Sequence, residues 1–347
     1  MKHIIILIFC FFLILCLISY YCQKKNIYKN IYKNIIDNIL YLFNINPSCM
    51  NFKNLKPKFS IDIVYSWAGE SFSNNIRSSY NNELKYSLRS IYKFLPWVNH
   101  IYIIVNNRNI IPSWFNNNYK KHITMISEGE IFPSLEYIPN KNSNAIESCL
   151  HRIPQLSEHF IYLNDDFFIG CKLDYTYFFT EDGKAIVSDK VNYPIKINKK
   201  RNQMKLPLTI RGFYSHTPYS YIKSQCKLFE EKYKDYYHFI RKTKNRKGIG
   251  CNVCKDMVCP CQQVHGPIHI FMKSNDKVIT RIEPFNSCSY RFFNHKNINN
   301  LNKLLKRPET TFCINDTEVN KDKRKENLKI TQEFFDKMYP ELPPWEK

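Results

Sequence analysis

Two acidic residues stand side by side at Asp165-Asp166, behind the apolar run Phe160-Ile161-Tyr162-Leu163. Carboxylates at the end of a buried strand can hold a divalent cation, which typically keeps several waters and bridges phosphate oxygens. The plain alternative is that two aspartates open a turn. Asn315-Asp316 repeats the pattern behind Thr311-Phe312-Cys313-Ile314, so two strand ends could supply one metal and phosphate site. His216, in His216-Thr217-Pro218-Tyr219, is one of ten histidines and on its own reads as structural or exposed. Arg241 and Arg246 lie in a basic stretch that by itself reads as a solvated face. Cys251, Cys254, Cys259 and Cys261 form C-x2-C-x4-C-x-C, with His265 and His269 close behind. That spacing fits a small structural Zn²⁺ site and equally two disulfides.

The elements that must position these residues follow from periodicity. Phe59 to Trp67 holds the compact apolar run Ile61, Ile63, Val64, Tyr65 and predicts a buried strand. Leu84, Leu88, Ile91, Tyr92 and Leu95 recur at helical spacing, and Pro96 ends that helix. His100 to Val105, His122 to Ile126 and Phe160 to Leu163 read as further strands. Asn144 followed by Glu147 suits a capped short helix running through Ile153. Strands alternating with helices predict a mostly parallel α/β sheet, in which ligands gather beyond the carboxyl ends of strands. Asp165 and Asp166 lie at such an end. Residues 181–205 read as a polar excursion, and a charged helix closes near Pro340.

The chain of 347 residues carries 51 Lys plus Arg against 30 Asp plus Glu, a formal charge of +21. Such a surface attracts phosphates, nucleic acid or anionic lipid. Abundant Lys, Asn and Ile also follow from an AT-rich genome, so the charge alone does not make nucleic acid a partner. From Ile4 to Cys22 no residue is charged, a run long enough to span a bilayer as a helix. It lacks an A-x-A-like cleavage site, which favours an uncleaved signal anchor over a cleaved signal peptide. The expected organisation is an anchor at 1–23, a Lys- and Asn-rich stem at 24–58 and a catalytic domain at 59–347. Lys24, Lys25, Lys29 and Lys33 follow the span. Read literally, they put the domain in the cytoplasm, but a chain rich in lysine throughout weakens that reading.

Asn82-Glu83-Leu84-Lys85-Tyr86-Ser87-Leu88-Arg89-Ser90-Ile91, then Pro96-Trp97-Val98-Asn99-His100-Ile101-Tyr102-Ile103, resembles the second conserved region of Stealth proteins. So do Ile111-Pro112-Ser113-Trp114, Asn144-Ala145-Ile146-Glu147-Ser148, His151-Arg152-Ile153-Pro154 and the segment from Phe160 to Asp166. The first region is similar to Ile61-Asp62-Ile63-Val64-Tyr65-Ser66-Trp67. The third includes His216-Thr217-Pro218 and Arg246, and the fourth runs from Phe312 to Glu346. Stealth proteins include bacterial capsule polymerases and the catalytic subunit of lysosomal GlcNAc-1-phosphotransferase. The resemblance spans about residues 59–347 apart from the excursion and a cysteine-rich insert at 248–270. One departure stands out. The family pattern places a small apolar residue, Asp or Asn, then Gly after the Tyr-x-Trp, whereas Ala68-Gly69-Glu70 follow here.

The resemblance implies a Rossmann-like, glycosyltransferase-A-related fold and transfer of hexose-1-phosphate from a UDP-sugar to a glycan acceptor, with UMP leaving. It implies His216 as general base, Arg246 on the phosphate, and Asp165 as catalytic ligand of Mg²⁺ (or Mn²⁺), with Asp166 and Asp316 beside it. Asp62, Arg89, Asn144, Glu147 and His151 would bind substrate. The cysteine cluster receives no catalytic role. A single-pass membrane protein is expected, with a lumenal or extracytoplasmic domain if the source is eukaryotic or viral; a homodimer is one option for its assembly. Two rivals remain at this level. A metal-dependent glycosyltransferase would release a nucleoside diphosphate, and a basic zinc-cluster protein would bind nucleic acid in a salt-sensitive way.

Overall fold

The computed structural model describes residues 46–50, 52–69, 81–119, 121–194, 211–213, 217–244, 264–282, 288–293, 301–316 and 320–347. Where the sequence runs apolar without interruption, strands form and are covered on both faces, as parallel strands require. They are β1 (Ile61–Ser66), β2 (Ile101–Val105), β3 (Ile123–Ser127) and β4 (His159–Asn164). β5 (Phe167–Ile169), β6 (Ala185–Pro194), β7 (Arg211–Phe213) and β8 (Tyr219–Ile222) follow. β9 (Val278–Ile282), β10 (Cys288–Phe293) and β11 (Thr311–Asp316) complete the described set.

The central sheet has the order β3-β2-β1-β4-β8. β1 pairs in parallel with β2 and β4, and β2 with β3. β8 closes the edge antiparallel to β4. The chain winds outward from β1 to β3 and then returns to the other side of β1, so strand order reverses between β1 and β4. That is the Rossmann-like arrangement, and its ligand crevice lies beyond the carboxyl ends at this reversal. β10-β11-β5 and β7-β6-β9 form two smaller sheets.

Helix α1 (Glu83–Phe94) links β1 to β2. Leu84, Leu88 and Ile91 bury one face in the main core, while Pro96 holds Leu95 out of helical geometry at ψ 64°. Tyr92 is the exception to the expected apolar stripe; it is 42% exposed and meets Trp345 edge-on. Ser87 donates to the Phe167 carbonyl, and the Ile169 amide donates to Ser90 Oγ at 3.1 Å. These two serines fix short β5 across the helix. The opposite face of α1 enters a second core through Tyr86. That core is filled from β5, β11, α6 (Leu301–Lys306) and α7 (Lys321–Met338).

Two expectations change. Ala185 to Pro194, inside the expected polar excursion, is a strand: Ala185 and Val187 are buried, and β6 pairs with both β7 and β9. The end of the expected stem is docked on the domain. Cys49 is disulfide-bonded to Cys171, and Asp174 accepts from the Lys53 and Leu55 amides, both at 2.7 Å. No described helix is long and apolar enough to cross a membrane. The expected anchor at 1–23 lies outside the described residues.

Candidate active site

β1 and β4 end side by side, with Ser66 paired to Asn164. Tyr162, two residues upstream on the same face, brings its hydroxyl to 2.7 Å from both Ser66 Oγ and Asn164 Oδ1. Asp165 and Asp166 form the turn from β4 into β5. The acidic pair therefore makes a turn, and does so at the carboxyl edge of the sheet. Burial raises Asp165 above the usual carboxylate range, and the charge of Asp166 raises it further. β11 lies beside this turn: the Ile314 amide donates to the Asp166 carbonyl at 3.2 Å, and the Cys313 thiol donates to Asp166 Oδ2 at 3.1 Å. The backbone of Asp316 continues β11 in register with β10.

A third carboxylate belongs to this corner. Glu83 begins α1, and its Oε2 accepts from the Asn81 amide at 2.6 Å. Burial, then the charge of Asp165, pushes Glu83 up to about 7. Sequence reasoning passed over Glu83 because an acid in the first helical turn is ordinarily a partner for the helix dipole. Half-buried carboxylates set this close repel one another, and a cation between them offsets that cost. Their hard oxygens suit Mg²⁺ or Mn²⁺. Among the described residues no three His, Cys, Asp or Glu side chains gather closely enough to hold a metal by themselves.

Short helix α2 (Ser143–Glu147) brings Glu147 to the same edge. Glu147 Oε1 accepts from Tyr162 at 3.4 Å, and Oε2 lies 3.1 Å from His265 Nε2. The cap of α2 is Asn142, whose Oδ1 accepts from the Asn144 amide at 3.2 Å. Asn144 is therefore inside the helix rather than its cap, and is itself buried. Helix α2 stops at Glu147, and Leu150–Arg152 forms a separate 3-10 turn.

Other expected binding residues are engaged elsewhere. Asp62 sits at the amino end of β1, fully buried, accepting from Asn99 Nδ2 at 2.8 Å and the Ser157 amide at 2.7 Å. It therefore lies at the opposite end of the sheet from the acidic turn. Arg89 forks onto Glu346 and also donates to the Tyr339 carbonyl at 3.2 Å. His151 turns to Glu230 at 2.6 Å on α3 (Lys223–Lys232). Arg241 on α4 (Lys234–Lys242) reaches the other Glu230 oxygen at 2.5 Å. Arg241 is buried and also bonds Ser148, so it is not on a solvated face. His216, Arg246, Glu70 and the four clustered cysteines lie outside the described residues. His265 and His269, both on α5 (His265–Ser274), face β8 and bond Tyr221 and the Ser220 carbonyl, each at 2.8 Å.

Residues 77–187 match the family model for Stealth protein CR2, conserved region 2, and residues 302–347 match that for Stealth protein CR4, conserved region 4. The chain is 39% identical over 155 residues to the capsular polysaccharide phosphotransferase LcbA of Neisseria meningitidis; this covers 38% of the chain and 42% of that relative. To the capsular polysaccharide phosphotransferase fcs1 of Haemophilus influenzae it is 32% identical over 300 residues, covering 74% of the chain and 78% of the relative. To the exopolysaccharide phosphotransferase CpsY of Mycobacterium leprae it is 27% identical, over 83% of the chain and 57% of the relative. The two matched regions carry the acidic turn, Glu83, Glu147 and the strand beside them, and with the alignment over most of fcs1 they establish that the chain belongs to the Stealth family.

Proposed function

We propose that this chain is a sugar-phosphate transferase moving a hexose-1-phosphate from a UDP-sugar onto a carbohydrate hydroxyl. The observation that carries the reading is the half-buried carboxylate corner of Asp165, Asp166 and Glu83 where strand order reverses. The names of the relatives, capsular and exopolysaccharide phosphotransferases, support sugar-phosphate chemistry. The acceptor oxygen attacks the phosphorus that bears the sugar. The bond from that phosphorus to the oxygen shared with the second phosphate breaks, UMP leaves, and a phosphodiester remains. His216 takes the acceptor proton, a role suited to a group that titrates near neutrality. Arg246 offers its planar fork to the non-bridging oxygens. Asp165, with Asp166 and Asp316, would hold Mg²⁺ or Mn²⁺, which neutralises phosphate charge when bound. Glu147 and Asn144 shape the donor pocket.

The domain belongs to the lumenal or extracytoplasmic side in this reading, anchored by residues 1–23. The Cys49–Cys171 disulfide supports this, since such bonds persist in oxidising compartments. A glycosyltransferase-A relationship fits the mostly parallel sheet and its acidic turn. The deciding experiment incubates the full-length protein with a panel of UDP-sugars and glycan acceptors and identifies the nucleotide released. UMP is expected; UDP would convert the assignment to an ordinary glycosyltransferase.

A further inference from the structure

Tyr219 and Tyr221 stand two residues apart on β8, so both side chains leave the same face of the strand. His265 and His269 stand four apart on α5, and so share one face of that helix. The two periodicities meet. His265 stacks on Tyr219 with ring centroids 4.1 Å apart and an interplanar angle of 7°. His269 stacks on Tyr221 at 4.7 Å and 19°. The ladder fixes the plane of the His265 ring and aims its two nitrogens in different directions. Nδ1 lies 2.8 Å from the Tyr221 hydroxyl and Nε2 lies 3.1 Å from Glu147 Oε2. The Glu147 contact is at ion-pair distance, and its geometry does not complete a hydrogen bond; a carboxylate only accepts, so the attraction requires a proton on Nε2. Nδ1 shares a hydrogen bond with the Tyr221 hydroxyl, whose direction follows the tautomer. Burial, then the charge of Glu147, holds the Tyr221 proton on its oxygen.

We infer that His265 is a positioning residue of the transferase site: it acts through Glu147, its Nε2 held at ion-pair distance from one carboxylate oxygen while the Tyr162 hydroxyl bonds the other. The inference rests on the proposed reading of Glu147 as a donor-pocket residue. Orientation of a reacting or binding group by a third, rigidly held partner is a general device of active sites. Here the partner comes from an element outside both matched family regions, since α5 falls between residues 187 and 302.

The test uses the full-length protein with the donor that gives turnover. His265→Phe keeps a flat ring on Tyr219 and removes both the Tyr221 hydrogen bond and the Glu147 contact. Its kcat/KM is expected to fall by roughly 10²-fold, the cost of a misplaced functional group. His265→Gln places an amide N–H near the Nε2 position and should recover at least roughly tenfold of that loss. In the Glu147→Gln background, His265→Phe should cost nothing further, because its effect passes through the carboxylate. Independent losses that multiply in the double variant, or a His265→Phe protein with wild-type kcat/KM, overturn the inference. A readout without turnover uses ¹⁵N NMR of the histidine ring. His265 should show a proton on Nε2 whose resonance shifts in Glu147→Gln; an unprotonated Nε2, or no response to that substitution, also overturns it. If His265→Phe does not fold, the Gln variant and the NMR signal decide. If the wild-type protein transfers no sugar phosphate, the transferase reading fails, and the NMR measurement still decides whether His265 holds Glu147.

Discussion

Arg89 on α1 lays its guanidinium across Glu346, with Nε donating to Oε2 at 2.7 Å and Nη2 to Oε1 at 2.5 Å. Lys85, one turn earlier on the helix, adds a contact to Oε1 at 2.9 Å. The pair is buried, and it fastens the end of conserved region four to the helix of conserved region two. Removing one partner from a buried ion pair leaves a charge uncompensated. Glu346→Gln is therefore expected to lower unfolding free energy by about 3 kcal/mol. Arg89→Lys should recover only part of what Arg89→Met loses, since lysine keeps the charge without the fork. Denaturant titration of the four proteins checks this, and equal midpoints for wild type and Glu346→Gln would sink it.

Glu230 supplies the pH dependence. Burial would raise its carboxyl, but bonds from His151 and Arg241 outweigh burial and hold it well below the usual range. A carboxylate depressed in the folded state contributes stability above its unfolded value, about 4.3, and loses it as pH falls below that value. Melting midpoints measured from pH 7 down to pH 3 should therefore fall more steeply for wild type than for Glu230→Gln, which starts lower. Arg241→Lys should lose stability as well, so activity in that variant must be compared at matched folded fraction.

For the metal, Asp165→Asn removes charge at constant volume. Turnover should disappear while the melting midpoint is held or raised, because the raised carboxyl no longer repels Asp166. EDTA should reproduce the loss of turnover in wild type, and a Mn²⁺ titration followed by EPR should show weakened binding in the variant. Full turnover in chelator excludes the proposed role.

The Cys49–Cys171 bond closes a loop of 122 residues. In the chain-entropy account such a loop is worth about 5 kcal/mol, so Cys49→Ser should lower stability by about that amount. Alkylation under native, non-reducing conditions followed by mass spectrometry should find these two cysteines blocked. Free thiols there in protein purified from its own cells would place the domain in a reducing compartment.

Gly170 allows β5 to approach the segment before β11. A methyl group there would sit 1.8 Å from the Glu309 carbonyl oxygen. Gly170→Ala should separate β5 from β11, lowering turnover and stability together. Wild-type behaviour in both assays would contradict the observed packing.

What the sequence made legible was what continuous apolar runs make legible. β1 to β4 announce themselves because buried parallel strands have no polar face, and the acidic turn stands out because it breaks such a run. β6 was hidden because its apolar run stops at Val187 and the strand continues through Ser188, Asp189, Lys190 and Asn192. Asp62 and Asp165 look alike on paper; only the direction of the strands puts one at the amino edge and the other at the carboxyl edge. Arg89 and His151 gained their buried partners, Glu346 and Glu230, from 257 and 79 residues away. His265 was overshadowed by the cysteines before it, and its partner Glu147 looked like half of a capping box. Long-range pairings of this kind leave no periodic trace.

Helix α1 has a consequence for how this family can change length. It carries one face in each core, so regions two and four meet directly through Tyr86, Arg89, Phe335 and Glu346. The segment between residues 187 and 302 is, for that contact, a closed loop. Closure entropy grows only logarithmically, about 0.6 kcal/mol for each doubling of loop length. Descendants could lengthen the surface connections of the intervening chain at little thermodynamic cost, provided that β8 and Arg241 keep their places against the core, while the two matched regions stay locked together. Length variation in the middle of the chain therefore need not unsettle the carboxylate corner.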